Sequence, residues 1–64
     1  MIRLTRINGR PVVLNAEQIK LVEEVPDTMI TLLNGDQLLV KESLEDVIRR
    51  AIDYGRSVRN FQGP

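Results

Sequence analysis

The sequence predicts an α+β domain: a small antiparallel sheet or partly open barrel of about five strands, followed by one C-terminal amphipathic helix. Two observations indicate strands, because Asn8-Gly9 and Asn34-Gly35 each lie between short runs rich in apolar and β-branched residues, the pattern typical of a β-hairpin. A third indicates the helix, because apolar residues after Ser43 recur at three- and four-residue spacing.

The predicted strands follow in order along the chain. The first hairpin pairs residues 3–7 with residues 11–14, and a third strand covers residues 19–25. The second hairpin pairs residues 28–33 with residues 37–41. Each Asn-Gly pair is expected to form a two-residue turn, because both residue types tolerate a positive φ.

The predicted helix begins at Ser43, whose side chain can accept a hydrogen bond from a free amide of the first turn. Glu45 and Asp46 follow, and negative charge is favourable at this end of a helix. The helix is expected to fade near Val58, and Gly55 could end it earlier. One apolar stripe should pack on the sheet; it comprises Leu44, Val47, Ile48, Ala51, Ile52 and Val58.

Length and composition limit the possible functions. The chain of 64 residues should form a single domain over residues 1–59 with a loose C-terminal tail at 60–64. Cysteine and histidine are both absent, which excludes disulfides and the common zinc ligand sets. No motif for catalysis or for a cofactor occurs, so neither enzyme activity nor a cofactor is expected. Self-association would stabilise so small a core, and a homo-oligomer is predicted.

The charge pattern and hydropathy indicate a cytoplasmic protein. Nine basic and nine acidic residues balance, so no overall positive field exists to hold a nucleic acid. No run approaches the roughly 20 apolar residues of a membrane span, so no membrane insertion is expected. The N-terminal residues lack the apolar stretch of a signal peptide.

The strands carry more apolar residues than one helix can cover. If alternate residues of each strand face the helix, a second set points to the opposite side of the sheet. This surplus predicts either a barrel interior or a face that binds another chain. The candidate oligomer or docking face comprises Val13, Val22, Met29, Leu33 and Leu39.

Arginines form two candidate basic patches. Arg3, Arg6 and Arg10 lie on the first hairpin, and Arg49 and Arg50 lie on the helix. Arginine patches bind phosphates or partner carboxylates. Nucleic-acid binding is not expected of them, because single strands are usually held by stacking aromatic residues and the chain has only one Tyr and one Phe.

The chain closely resembles the FlbD family of small bacterial flagellar proteins, also called SwrD. The resemblance rests on an ordered set of short segments: IRLTRING at 2–9, VLN at 13–15, Ile19 with Val22-Glu23, PDT at 26–28, ITL at 30–32, Asn34-Gly35 and VKES at 40–43. It implies a non-enzymatic cytoplasmic accessory protein, peripheral to the flagellar basal body, that supports swimming or swarming. The implied partner is a component of the flagellar motor or of its export apparatus. No cofactor and no established site residues are implied.

Two other resemblances remain open. Leu4-Thr5-Arg6, the hairpin and the C-terminal helix are also similar to the carbon-storage-regulator family of small RNA-binding dimers. The segment VKESL at 40–44 before a helix is similar to the end of LytTR DNA-binding domains, although the chain is too short for that whole domain. Steeply salt-dependent binding of structured RNA would favour the first alternative.

Overall fold

The computed structural model describes residues 1–62, and side chains as far as Gly55. Five strands precede one helix, which confirms the predicted α+β class. The strands are β1 (Ile2–Thr5), β2 (Pro11–Leu14), β3 (Ile19–Glu24), β4 (Thr28–Leu32) and β5 (Gln37–Val40), with a short 3₁₀ turn at Ala16–Gln18. The helix α1 spans Leu44–Gln62.

The strands form two open antiparallel sheets. β1 pairs with β2, and β4 lies between β3 and β5. The two sheets touch where Arg6 and Val40 form an isolated antiparallel bridge. Backbone hydrogen bonds extend this contact, with Lys41 N donating to Thr5 O (2.8 Å) and Ile7 N donating to Leu39 O (3.0 Å). The end of β5 therefore connects the first hairpin to the rest of the molecule.

The core lies between the sheets and the first turns of α1. Four side chains are almost completely inaccessible: Leu4, Ile30, Val40 and Val47. Ile2 and Leu14 complete the buried cluster. Val47 is the residue of α1 that enters this cluster, because the three- and four-residue apolar spacing brings it to the face of the helix toward the sheet.

The first Asn-Gly turn differs from the predicted form. Gly9 N donates to Arg6 O (2.8 Å) and Arg6 N to Arg10 O (2.8 Å), so the central turn residues are Ile7 and Asn8 rather than Asn8 and Gly9. Within this turn, Gly9 is the residue with a positive φ, 92°. The prediction of a two-residue Asn-Gly turn was wrong: the turn spans residues 6–9, and its fourth residue, Gly9, is in the left-handed region. Asn8 Oδ1 instead accepts from Arg10 N (3.0 Å).

The second turn repeats this geometry. Gly35 N donates to Leu32 O (2.9 Å), Leu32 N donates to Asp36 O (2.8 Å), and Gly35 has a φ of 94°. Asn34 Oδ1 accepts from Asp36 N (2.9 Å). The asparagines therefore support each turn through their side chains, which hydrogen-bond the backbone two residues on.

The helix begins as predicted and ends later. Ser43 Oγ accepts from Asp46 N (3.2 Å), which caps the first turn. The helix continues through Gly55 and past Val58 to Gln62. The expected loose tail at 60–64 is thus helical as far as Gln62, and its last two residues lie outside the described part of the chain.

Candidate functional site

Two sequence segments that are far apart in the chain meet where β1 adjoins the end of β5. Glu42 Oε1 accepts a hydrogen bond from Thr5 N at 2.9 Å, across 37 residues. Arg50 Nη1 lies 3.8 Å from Glu42 Oε2 and donates to Arg3 O at 2.5 Å. Arg50 Nη2 also lies 4.0 Å from Asp46 Oδ2. These bonds join β1, the loop before the helix, and the second turn of α1; we call them the Glu42 network.

The Glu42 carboxylate is held in its charged form. Its side chain is only 12% exposed, and this burial alone would raise the pKa of Glu42. The hydrogen bonds from Thr5 and the charge of Arg50 outweigh burial and lower the pKa below its ordinary value. A carboxylate with these partners stabilises the junction of the hairpin with the helix.

A cleft of about 400 Å³ opens beside this network. Arg3, Leu4, Thr5, Gly9, Pro11, Glu42 and Arg50 line it. Of the five candidate basic residues, the structure therefore brings Arg3 and Arg50 together. Arg50 is engaged by Glu42 and Asp46, so its role within the described structure is to tie the helix to the hairpin.

The other candidate arginines do not join this cleft. Arg49 bonds Asp46 within the first turns of α1 and is otherwise exposed. Arg6 lies at the bridge to Val40, and Arg10 lies in the turn after Gly9; both are exposed. The hairpin arginines and Arg49 thus belong to different parts of the surface.

The outer faces of the two sheets, on the sides away from the core, carry exposed apolar residues. Met29 and Leu39 are cross-strand partners there, and Leu39 is 41% exposed. Leu33 lies in the β4–β5 turn and Val13 lies opposite Arg3 in the first hairpin; both are 59% exposed. Four of the five residues of the candidate oligomer or docking face therefore lie where another chain can contact at least part of the side chain.

The fifth, Val22, was assigned to the wrong face. Ile19 lies opposite Leu32 and Leu21 lies opposite Thr31, so Lys20 is an extra residue in β3 and forms a bulge. A one-residue shift reverses the facing of every later side chain. Val22, the partner of Ile30, consequently packs against the core, and Leu21 takes its place on the outer face, 39% exposed.

The helix contributes a second set of exposed apolar residues. Ile48 and Ile52 are both exposed, although the periodicity assigned them to the stripe that packs on the sheet. That assignment was wrong for these two residues, because the buried and half-buried apolar side chains of α1 within the described residues follow a narrower line: Leu44, Val47, Ala51 and Tyr54. The apolar stripe of α1 is therefore wider than the sheet surface that it meets.

We found no grouping of metal-ligand side chains among the described residues. Within the same residues, no helix is long and apolar enough to cross a membrane. The molecule so defined is a small α+β domain with a partly uncovered sheet face and one hairpin joined to its helix by the half-buried carboxylate of Glu42.

The comparison with known families identifies the chain. The model of the FlbD family, described as flagellar and swarming motility proteins, matches residues 1–59, and the chain belongs to this family. The resemblance seen in the sequence is thereby confirmed. No curated protein and no solved structure matches the chain. The segments 2–9 and 40–43, which carried much of the resemblance, are those that meet at the Glu42 network.

Proposed function

We propose that this protein is a non-enzymatic, cytoplasmic accessory protein of the bacterial flagellum, peripheral to the basal body. It supports swimming and swarming by binding a component of the flagellar motor or of its export apparatus. Membership of the flagellar and swarming motility family supports the cellular role. The binding mode is supported by the structure's outer sheet face.

The observation that carries the binding mode is the outward-facing apolar group of the exposed Leu21 and Leu39 and the half-buried Met29, together with the exposed Leu33 in the adjacent turn. Exposed apolar residues that occur singly need no explanation, but a contiguous group marks a surface for another protein. Polar neighbours accompany them on the same face, because Thr31 and Gln37 are cross-strand partners there. Thr31 also lies opposite Leu21, so polar and apolar side chains are mixed on this face, and such a mixed composition is usual for a non-obligate protein interface.

A motility assay tests this proposal. In the flagellated bacterium that encodes the protein, the chromosomal gene is replaced by the Leu39→Glu variant or by the Gln37→Glu variant. Both variants place a new carboxylate on the outer face of β5, but only the first removes an apolar contact. We expect Leu39→Glu to reduce swimming and swarming while Gln37→Glu retains them, with both purified variants giving the wild-type circular dichroism spectrum.

A photo-crosslinking amino acid at position 39 then identifies the bound protein in living cells. Crosslinking to a motor or export component supports the proposal. Normal motility of the Leu39→Glu strain, or crosslinks only to proteins unrelated to the flagellum, would contradict it. Tight, salt-dependent binding of structured RNA by the purified protein would instead favour the RNA-binding alternative.

A further inference from the structure

The outer edge of β3 has no strand beside it in the described structure. β3 pairs only with β4, at the end of the three-stranded sheet. It has six residues, more than any other strand, and contains no proline. The opposite edge differs, because β2 has four residues and begins with Pro11, which lacks an amide proton. The bulge at Lys20 interrupts one end of β3, but the residues from Leu21 to Glu24 pair regularly with β4, so β3 is the better of these two templates for strand addition.

Charged side chains normally protect such an edge against pairing. Here Lys20 lies near one end of β3, and Glu23 and Glu24 lie at the other. All three are exposed, and none of them forms an ion pair with another described side chain. Opposite charges at the two ends of a strand do not repel an antiparallel copy of the same strand. Such a copy places the basic end of each strand beside the acidic end of the other, so the charges attract.

We propose that two copies of this chain associate through β3, antiparallel, with Val22 of each copy opposite Val22 of the other. This inference rests on the proposed function, because it treats the protein as a binding module. It deepens that function by naming a second copy of the chain as one of the partners. The two three-stranded sheets then join into one sheet with continuous inner and outer faces.

The register follows from symmetry and charge. A twofold axis perpendicular to the sheet keeps corresponding faces on the same side, so one residue of β3 lies opposite itself. Centring on Lys20 or on Glu23 places like charges together, and centring on Leu21 pairs no opposite charges. Centring on Val22 pairs Leu21 with Glu23 in the regular part of the strand and brings Lys20, the residue at the bulge, beside Glu24 at both ends of the contact. Of these four registers, it is the one that pairs opposite charges.

Sedimentation equilibrium of the purified protein, from low to high micromolar concentration, tests this association. We expect a wild-type dimer whose dissociation constant rises at least about tenfold in Lys20→Glu and in Glu24→Lys, since each change creates two like-charged pairs. The double variant Lys20→Glu, Glu24→Lys should recover the wild-type constant. An equimolar mixture of the two single variants should form a heterodimer, because every opposing pair in it is again complementary.

Glu23→Lys is the matched control, because it makes the same charge change one residue away, where the proposed register places Leu21 of the other copy. It should weaken the dimer less than Glu24→Lys does. Thermal unfolding of each variant checks that the fold is intact. A wild-type protein that stays monomeric at high micromolar concentration overturns the proposal, and so does a dimer that the single variants leave unchanged or that the double variant fails to restore.

These outcomes are separable from those of the motility assay. If the wild-type protein is monomeric and the Leu39→Glu strain does not swarm, the β3 dimer is overturned and the proposed function stands. If the protein dimerises through β3 and the Leu39→Glu strain swarms normally, the docking role of the outer face is overturned and the dimer stands.

Discussion

The inner and outer faces of the sheet carry similar side chains in very different surroundings. On the inner face, Leu4, Ile30 and Val40 are almost fully buried against α1 and one another. On the outer face, Leu39 and Leu21 keep about two fifths of their surface exposed. A domain this small has only a few kcal/mol of net stability, so its fold depends on the inner set. The outer set, by contrast, lies outside the buried core.

Truncation of one residue on each face tests this difference most strongly. Ile30→Ala should cost about 3 kcal/mol of unfolding free energy, because a fully buried side chain leaves a cavity. Leu39→Ala, on the neighbouring strand but facing outward, should cost less than about 1 kcal/mol in the monomer. Urea unfolding followed by circular dichroism measures both. Equal costs would mean that the outer face is as well covered as the core.

The Glu42 network allows a second comparison, between the half-buried carboxylate of Glu42 and the exposed carboxylate of Glu45 at the start of the helix. Glu42→Gln should destabilise the fold by about 1–2 kcal/mol, because Thr5 N and Arg50 lose a charged acceptor. Glu45→Gln, three residues on and exposed, changes the charge by the same amount and should cost well under 1 kcal/mol. Chemical denaturation of the two variants side by side provides the test, and similar losses would show that the network is not stabilising.

The same carboxylate predicts how stability depends on pH. The pKa of Glu42 is lower in the folded state than its ordinary value of 4.5. Its contribution is therefore complete above about pH 4.5 and is lost as the pH falls through the folded-state pKa. The free energy of unfolding should decline more steeply in wild type than in Glu42→Gln on acidification below that value. Parallel wild-type and variant curves would contradict the role given to Glu42.

The parts of the fold that the sequence predicted depend on local patterns. Ser43 followed by acidic residues indicated where the helix begins, and the two Asn-Gly pairs indicated which strands are neighbours. The turn geometry was not predictable from the pair alone, because Asn-Gly suits both a two-residue turn and a longer turn that ends in glycine. The family resemblance, carried by ordered short segments, gave the cellular role.

The missed features depend on pairing between distant residues. The bulge at Lys20 cannot be seen in the alternation of apolar and polar residues along β3, because Leu21 and Val22 are both apolar and either could face the core. The contact of Thr5 with Glu42 requires that β1 adjoin the end of β5, which a linear pattern does not specify. In the predicted docking face, Leu21 therefore occupies the place that the sequence assigned to Val22. The cleft between Arg3 and Arg50 was not predicted.

The smallest predicted effects come from two glycines that differ in backbone conformation. Gly35 has a φ of 94° with open space around its α-carbon, so Gly35→Ala should cost about 1 kcal/mol through backbone strain alone. Gly55 lies within α1, also in open space, so Gly55→Ala should stabilise the fold by about 0.5–1 kcal/mol by favouring the helical backbone. Thermal melting of both variants checks the opposite signs. If Gly55→Ala proved destabilising, position 55 would not have a helical backbone, and α1 would not continue as a stable helix beyond Ile48 and Ile52.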